Sequence, residues 1–208
     1  MKRLFSTLVL LASLLPAVSA QHDPARIRLS DDVEIVKLSN RAYLHISVTE
    51  IPSWGSVASN GLILVDKGKA FLFDTPVTEE QTATVLRWVT DSLHARVTGF
   101  VPNHWHSDCM GGIACLHRRK VKSYANRMTA EIARREGLPV PQHEFGDSLR
   151  LKVGKTEIFC YYPGGGHSTD NIAVWIPAEK ILFAGCMVKA LNATSPGNML
   201  EGDRYWLV

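Results

Sequence analysis

The chain has 208 residues, 46% of them apolar and 21% charged, with a formal net charge of +3. That length suits one domain, and the composition excludes a disordered chain. The charge is too small and too scattered to form the basic stripe that holds a nucleic acid.

In chain order, the first feature is a leader. Lys2 and Arg3 precede an apolar run over residues 4–15, broken only by Ser6, Thr7 and Ser13. Pro16 and then Val18-Ser19-Ala20 follow, with small residues at a cleavage position. This is the pattern of a secretory signal peptide over residues 1–20. A run of ~12 apolar residues falls short of the ~20 that a spanning helix needs, so no stable membrane anchor is expected. The main domain is then expected over residues 21–208, in the periplasm. Removing Lys2 and Arg3 leaves 21 basic against 20 acidic side chains.

Residues 33–48 predict two β-branched strands around a turn at Ser39-Asn40, and residues 61–74 predict a hairpin folding at Asp66-Lys67-Gly68. Thr78-Glu79-Glu80-Gln81 is a capping box, after which Val85, Leu86, Val89 and Leu93 recur at helical spacing. Residues 97–101 predict a short buried strand. Gly111-Gly112 is expected to loosen the backbone, residues 113–119 predict a short helix, and Asn126 caps another that stops at Gly137. Two more hairpins are expected, over 149–162 and 172–184. Strands outnumber helices, and the fold class is α/β of the layered α+β kind, with sheets covered by helices.

The predicted strand at 97–101 runs directly into NHWHSD, residues 103–108. Histidines at i and i+2 do not share a helix face, but they share a face of an extended segment. His104, His106 and Asp108 are therefore expected to point one way from a strand end or an open loop. Imidazole nitrogen with carboxylate oxygen suits zinc. Two more strand ends present further donors: GGGHSTDN presents His167, and FAGC presents Cys186. His104, His106 and His167 would form a three-histidine site with an open fourth position, and Asp108 and Cys186 would begin a second site. Of the other cysteines, Cys115 and Cys160 are expected to be buried packing residues. Cys109 is expected to be partly exposed and able to cross-link to Cys186 once metal is lost. The other histidines (His22, His45, His94, His117 and His143) are expected at the surface or satisfied by neighbours.

NHWHSDCMGG, GGGHSTDNIAVW and FAGCMVK, with Gly197-Asn198 beyond, resemble the metallo-β-lactamases, in order from about residue 33 onward. The resemblance is to the di-zinc subclass with three histidines on one metal and Asp, Cys and His on the other. It implies an αββα sandwich and zinc-dependent hydrolysis of the β-lactam amide bond without a covalent enzyme intermediate. His104, His106 and His167 would hold the first zinc, and Asp108 and Cys186 the second. Asp108 would also orient the nucleophile. Lys189 would hold the substrate carboxylate, and Asn198 would polarise the lactam carbonyl. Trp54, in PSWGSVASNG, would ride on a mobile hairpin over the substrate. The resembled enzymes continue for roughly 50 residues more, through elements of ordinary size that include a strand, a Gly-His-Gly turn and a last helix. That turn carries the second zinc's third ligand. The sequence therefore reads as a C-terminally incomplete, monomeric form lacking the last strand and helix, with one zinc in place of two and poor stability and activity.

Two other readings compete. Thioesterases of the wider superfamily carry His-x-His-x-Asp-His, but Cys109 stands where their last histidine would be. An inactive zinc-binding fragment is the other alternative. Neither Ser-x-x-Lys nor Gly-x-Ser-x-Gly occurs, so the serine routes lack their nucleophile motifs.

Overall fold

A computed structural model describes residues 25–52, 55–191 and 193–194. The expected leader, Trp54 and Asn198 lie outside those residues. Twelve strands and four α-helices are described: β1 (Arg26–Arg28), β2 (Val33–Lys37), β3 (Ala42–Ile51), β4 (Gly55–Asp66), β5 (Lys69–Phe73), α1 (Glu79–Leu93), β6 (Arg96–Val101), α2 (Ser107–Met110), α3 (Ile113–Arg118), β7 (Lys122–Asn126), α4 (Arg127–Arg135), β8 (His143–Phe145), β9 (Ser148–Val153), β10 (Thr156–Tyr161), β11 (Ala173–Ile176) and β12 (Ile181–Phe183). Strands β1 to β8 form one sheet in sequence order, and β12-β11-β10-β9 form a second.

Side chains on a strand alternate between faces, and this alternation divides the core in two. Leu62, Leu64, Phe71, Phe73 and Val101 face the second sheet, where they meet Ile158, Cys160, Val174 and Ile176. Ile63, Ala70, Leu72 and Phe100 face the other way, onto Val85, Leu86, Val89, Ile113 and Leu116 of the helices. Strands β4 to β6 are thus buried on both faces, which is why they read as continuous apolar runs. Each fully buried Leu, Ile or Phe contributes roughly 1.5–3 kcal/mol. Helix α1 starts where the capping box predicts, with the Thr78 side chain accepting from the Gln81 N–H at 3.2 Å. Asn126 likewise accepts from the Met128 N–H at 2.9 Å and starts α4.

The strand directions place the functional loops. Strand β6 pairs parallel to β5, with α1 as the crossover, so β6 ends on the rim that β5 also reaches. In the second sheet β10 and β12 both pair antiparallel to β11 and so run the same way. Their C-terminal ends, which lead to His167 and Cys186, emerge together. At the opposite end Asp66 holds the sheets in register: its Oδ2 accepts the N–H of Lys155 at 2.6 Å and of Thr156 at 3.2 Å.

Three local expectations need correction. The chain beyond Asn103 does not stay extended. It turns, and Ser107–Met110 form the short helix α2 with His106 as its N-cap. Gly111-Gly112 does not loosen the backbone. A Cβ on Gly111 would lie 1.9 Å from the Val77 carbonyl oxygen, and one on Gly112 would lie 2.0 Å from Thr82 Oγ1. These glycines are there for close packing. Strands β3 and β4 also run past the predicted hairpin, pairing as far as Ile51 with Gly55. Strands β1, β7 and β8 are too short or too polar to stand out in the sequence.

Candidate metal centre

The three strand ends bring five predicted ligands together. His104 Nε2 lies 2.9 Å from His106 Nδ1, which lies 3.2 Å from His167 Nε2. Beside them Cys186 Sγ lies 3.2 Å from Asp108 Oδ2, and His104 Nε2 lies 3.8 Å from Asp108 Oδ1. His104, His167 and Cys186 form one group of donors within 4.8 Å of one another; His104, His106 and Asp108 form a second. His104 belongs to both.

The donor set fits zinc. Four ligands at 2.0–2.1 Å around tetrahedral zinc stand about 3.3 Å apart, close to the nitrogen separations here. Three imidazoles of unlike rotation bring ring nitrogens within 2.9 and 3.2 Å of one another in turn, an arrangement one cation can share. His106 offers Nδ1 while its neighbours offer Nε2, a consequence of the turn into α2. On an extended segment all three residues would have pointed the same way from the same kind of backbone. Here Asp108 reaches the cluster from the first turn of a helix.

Burial holds His104 neutral: its pKa is pushed well below the usual imidazole value, first by desolvation and then by the neighbouring His106 and His167. A neutral ring has a lone pair to give. Its other nitrogen, Nδ1, lies 3.2 Å from Cys109 Sγ, which fixes which face of the ring points to the cluster. Cys186 is pushed the opposite way. Burial and then the Asp108 carboxylate raise its thiol pKa, so it stays protonated without a cation. A divalent ion reverses that balance and takes the thiolate.

Lys189 is exposed, and its positive charge acts on both His104 and Cys186. A cavity of about 340 Å³ opens beside His106, walled by Trp105, Met110, Ile113, Leu138 and Pro139. Cys109 is not partly exposed. It is buried under His104, so the expected cross-link to Cys186 requires the cluster to open first. Cys115 and Cys160 are buried, and all four thiols are free.

Several supporting residues gave no sequence signal. Asp74 is buried with φ 59°, and its Oδ1 accepts the Asn103 N–H at 2.5 Å. Asp170 is fully buried and accepts from Ser168 Oγ at 2.6 Å; burial raises its pKa. His45 was expected at the surface or satisfied; it is fully buried and only half satisfied. Its Nε2–H donates to the Asp74 carbonyl at 3.1 Å, while Nδ1 has no partner among the described residues.

That burial makes an acid-sensitive point in the fold. The His45 pKa is lowered to about 4, chiefly by desolvation. Between that value and the ordinary 6.5 the unfolded chain binds the extra proton, so stability is full above pH 6.5 and falls as pH drops toward 4. One pKa unit is about 1.4 kcal/mol, which makes the total loss about 3 kcal/mol. Urea unfolding of the metal-free protein at pH 7 and pH 4 should show that loss. A His45→Gln variant, lacking the titration, should lose correspondingly less.

Facing sheets under a helix layer, with a histidine-rich cluster at their strand ends, define a metallohydrolase of the sandwich type. No protein-family model matches the chain. A metallo-β-lactamase type 2 of Bacteroides fragilis is 50% identical over 196 residues, covering 94% of this chain and 78% of that protein. One of Pseudomonas aeruginosa is 36% identical over 76% of this chain and 63% of that protein. Among solved structures, the metallo-β-lactamase from Pontibacter korlensis superposes with a TM-score of 0.79 at 35% identity, covering 84% of this chain and 81% of that one. This chain belongs to the metallo-β-lactamases, type 2.

Proposed function

We propose that the protein hydrolyses the amide bond of β-lactam antibiotics with zinc held by His104, His106, His167, Asp108 and Cys186. The observation that carries this is the convergence of three imidazole nitrogens, 2.9 and 3.2 Å apart in sequence, beside a carboxylate–thiol pair. When bound, zinc supplies a Lewis acid for a carbonyl oxygen and brings the pKa of water to about 7.

The chain's own residues do the remaining work. Burial keeps His104 unprotonated at neutral pH, and Cys109 holds its tautomer. Asp108 also orients the attacking water. Lys189 pairs with the carboxylate that β-lactams carry next to the lactam nitrogen. Asn198 is assigned to the lactam carbonyl and Trp54 to covering the bound substrate. His104, His106 and His167 are assigned to one zinc, and Asp108 and Cys186 to a second beside it. We assign residues 1–20 to export and the mature protein to the periplasm as a monomer. Among the described residues no helix is long and apolar enough to cross a membrane.

The test is zinc content and turnover of a chromogenic cephalosporin, before and after chelation and zinc return. Turnover that survives complete zinc removal would refute the reading. Lys189→Ala should raise KM about tenfold with kcat little changed, because it removes a contact made equally in the ground and transition states.

A further inference from the structure

We infer that Asn103 is the positioning residue that sets where the three ligand-bearing segments meet. The ligands come from separate strand ends in two sheets, and no disulfide joins those segments. Behind the ligands themselves, one buried amide reaches all of them. Asn103 is 1% exposed and sits between the end of β6 and His104.

Its contacts reach every segment of the site. Its N–H donates to Asp74 Oδ1, at the end of β5. Its carbonyl accepts from the Ile172 N–H at 2.9 Å, and its Nδ2 donates back to the Ile172 carbonyl. Its Oδ1 accepts from Asn171 Nδ2 at 3.1 Å. Asn171 Oδ1 in turn accepts the N–H of Ser168, the residue next to His167. On the third side the Asn103 amide packs against Gly185: a Cβ there would lie 2.7 Å from Asn103 Cγ. Gly185 immediately precedes Cys186. One side chain therefore braces the His104–Asp108 segment, the His167 loop and the Cys186 turn.

The chemistry needs an amide. It provides a donor for Ile172 and an acceptor for Asn171 from one flat group. Aspartate would lose the donor and add a second carboxylate beside Asp74. Leucine would leave both partners buried and unpaired. Metal ligands must be held to within about 0.5 Å, and the groups behind them set that tolerance.

This inference rests on the zinc reading above. The test measures zinc retention by chelator competition on the whole protein, with thiolate-to-cobalt absorption of the cobalt(II)-loaded form as a second readout. Asn103→Ala is expected to weaken zinc binding about 10–100-fold, the usual range for groups behind a ligand, and to diminish the cobalt–thiolate band. Asn171→Ala cuts the same bridge from its other end, is expected to act in the same direction, and replaces Asn103→Ala should that variant not fold. A folded variant with the parent's chelator midpoint and cobalt spectrum overturns the assignment of Asn103. A parent protein that binds no zinc overturns the zinc reading and this inference with it, so the two failures are told apart by the parent alone.

Discussion

His104→Ala is expected to release zinc and reduce β-lactam turnover on the order of 1000-fold, equivalent to about 4 kcal/mol of lost transition-state stabilisation. His104 is the residue shared by both donor groups, and it is fully buried. Its loss removes one of three imidazoles from the first site. It also removes the ring that stands against Cys109 Sγ and lies 3.8 Å from Asp108. Removing a group that only supports a ligand costs 10–100-fold in metal affinity, and removing the ligand itself costs more. Zinc per chain by atomic emission after dialysis checks the first half, and turnover with excess zinc checks the second. His143→Ala is the control: His143 stacks on Tyr124, away from the cluster, and should retain zinc and activity. Equal zinc loss in both variants would contradict the assignment.

Gly111→Ala is expected to destabilise the fold by about 3 kcal/mol or more, a fall in Tm of roughly 6–12 °C at this chain length. The added methyl would meet the Val77 carbonyl at 1.9 Å and the Ser107 carbonyl at 2.6 Å. Both are backbone atoms and neither can rotate aside. The segment it would push is the one that seats α2: the Thr75 N–H donates to the Cys109 carbonyl at 2.9 Å, and Thr75 Oγ1 accepts the Gly112 N–H at 2.9 Å. Relief of the clash moves Asp108 and Cys109 together, so zinc affinity should fall with Tm. Gly146→Ala is the comparison, since a Cβ there meets nothing within 4 Å and Tm should change little. A Tm for Gly111→Ala within a degree of the parent would show that the approach of α2 to residues 74–77 is slack.

These expectations depend on residues of two kinds, and they were not equally visible in the sequence. The candidate metal ligands were visible because their side chains carry unusual chemistry at strand ends: His104 and His106 after an apolar run, His167 after three glycines, Cys186 after Gly185. Thr78 and Asn126 were visible because helix caps are local chemistry. The supporting residues were not visible. Asn103, Asp74, Asn171 and Asp170 are ordinary loop residues by type, and their importance comes from burial and from partners up to 69 residues away. His45 was left between the surface and a satisfied position, because alternation along the strand does not say what covers that face.

Local pattern and residue chemistry in this chain were enough to specify most of the strands and helices, the five candidate metal donors and the layered class, since each depends on near neighbours along the chain. Tertiary structure alone decided that β6, β10 and β12 end on one rim, that His106 presents Nδ1, and that Cys109 lies buried behind His104. Those outcomes depend on strand direction, sheet stacking and desolvation, which arise only when distant segments pack.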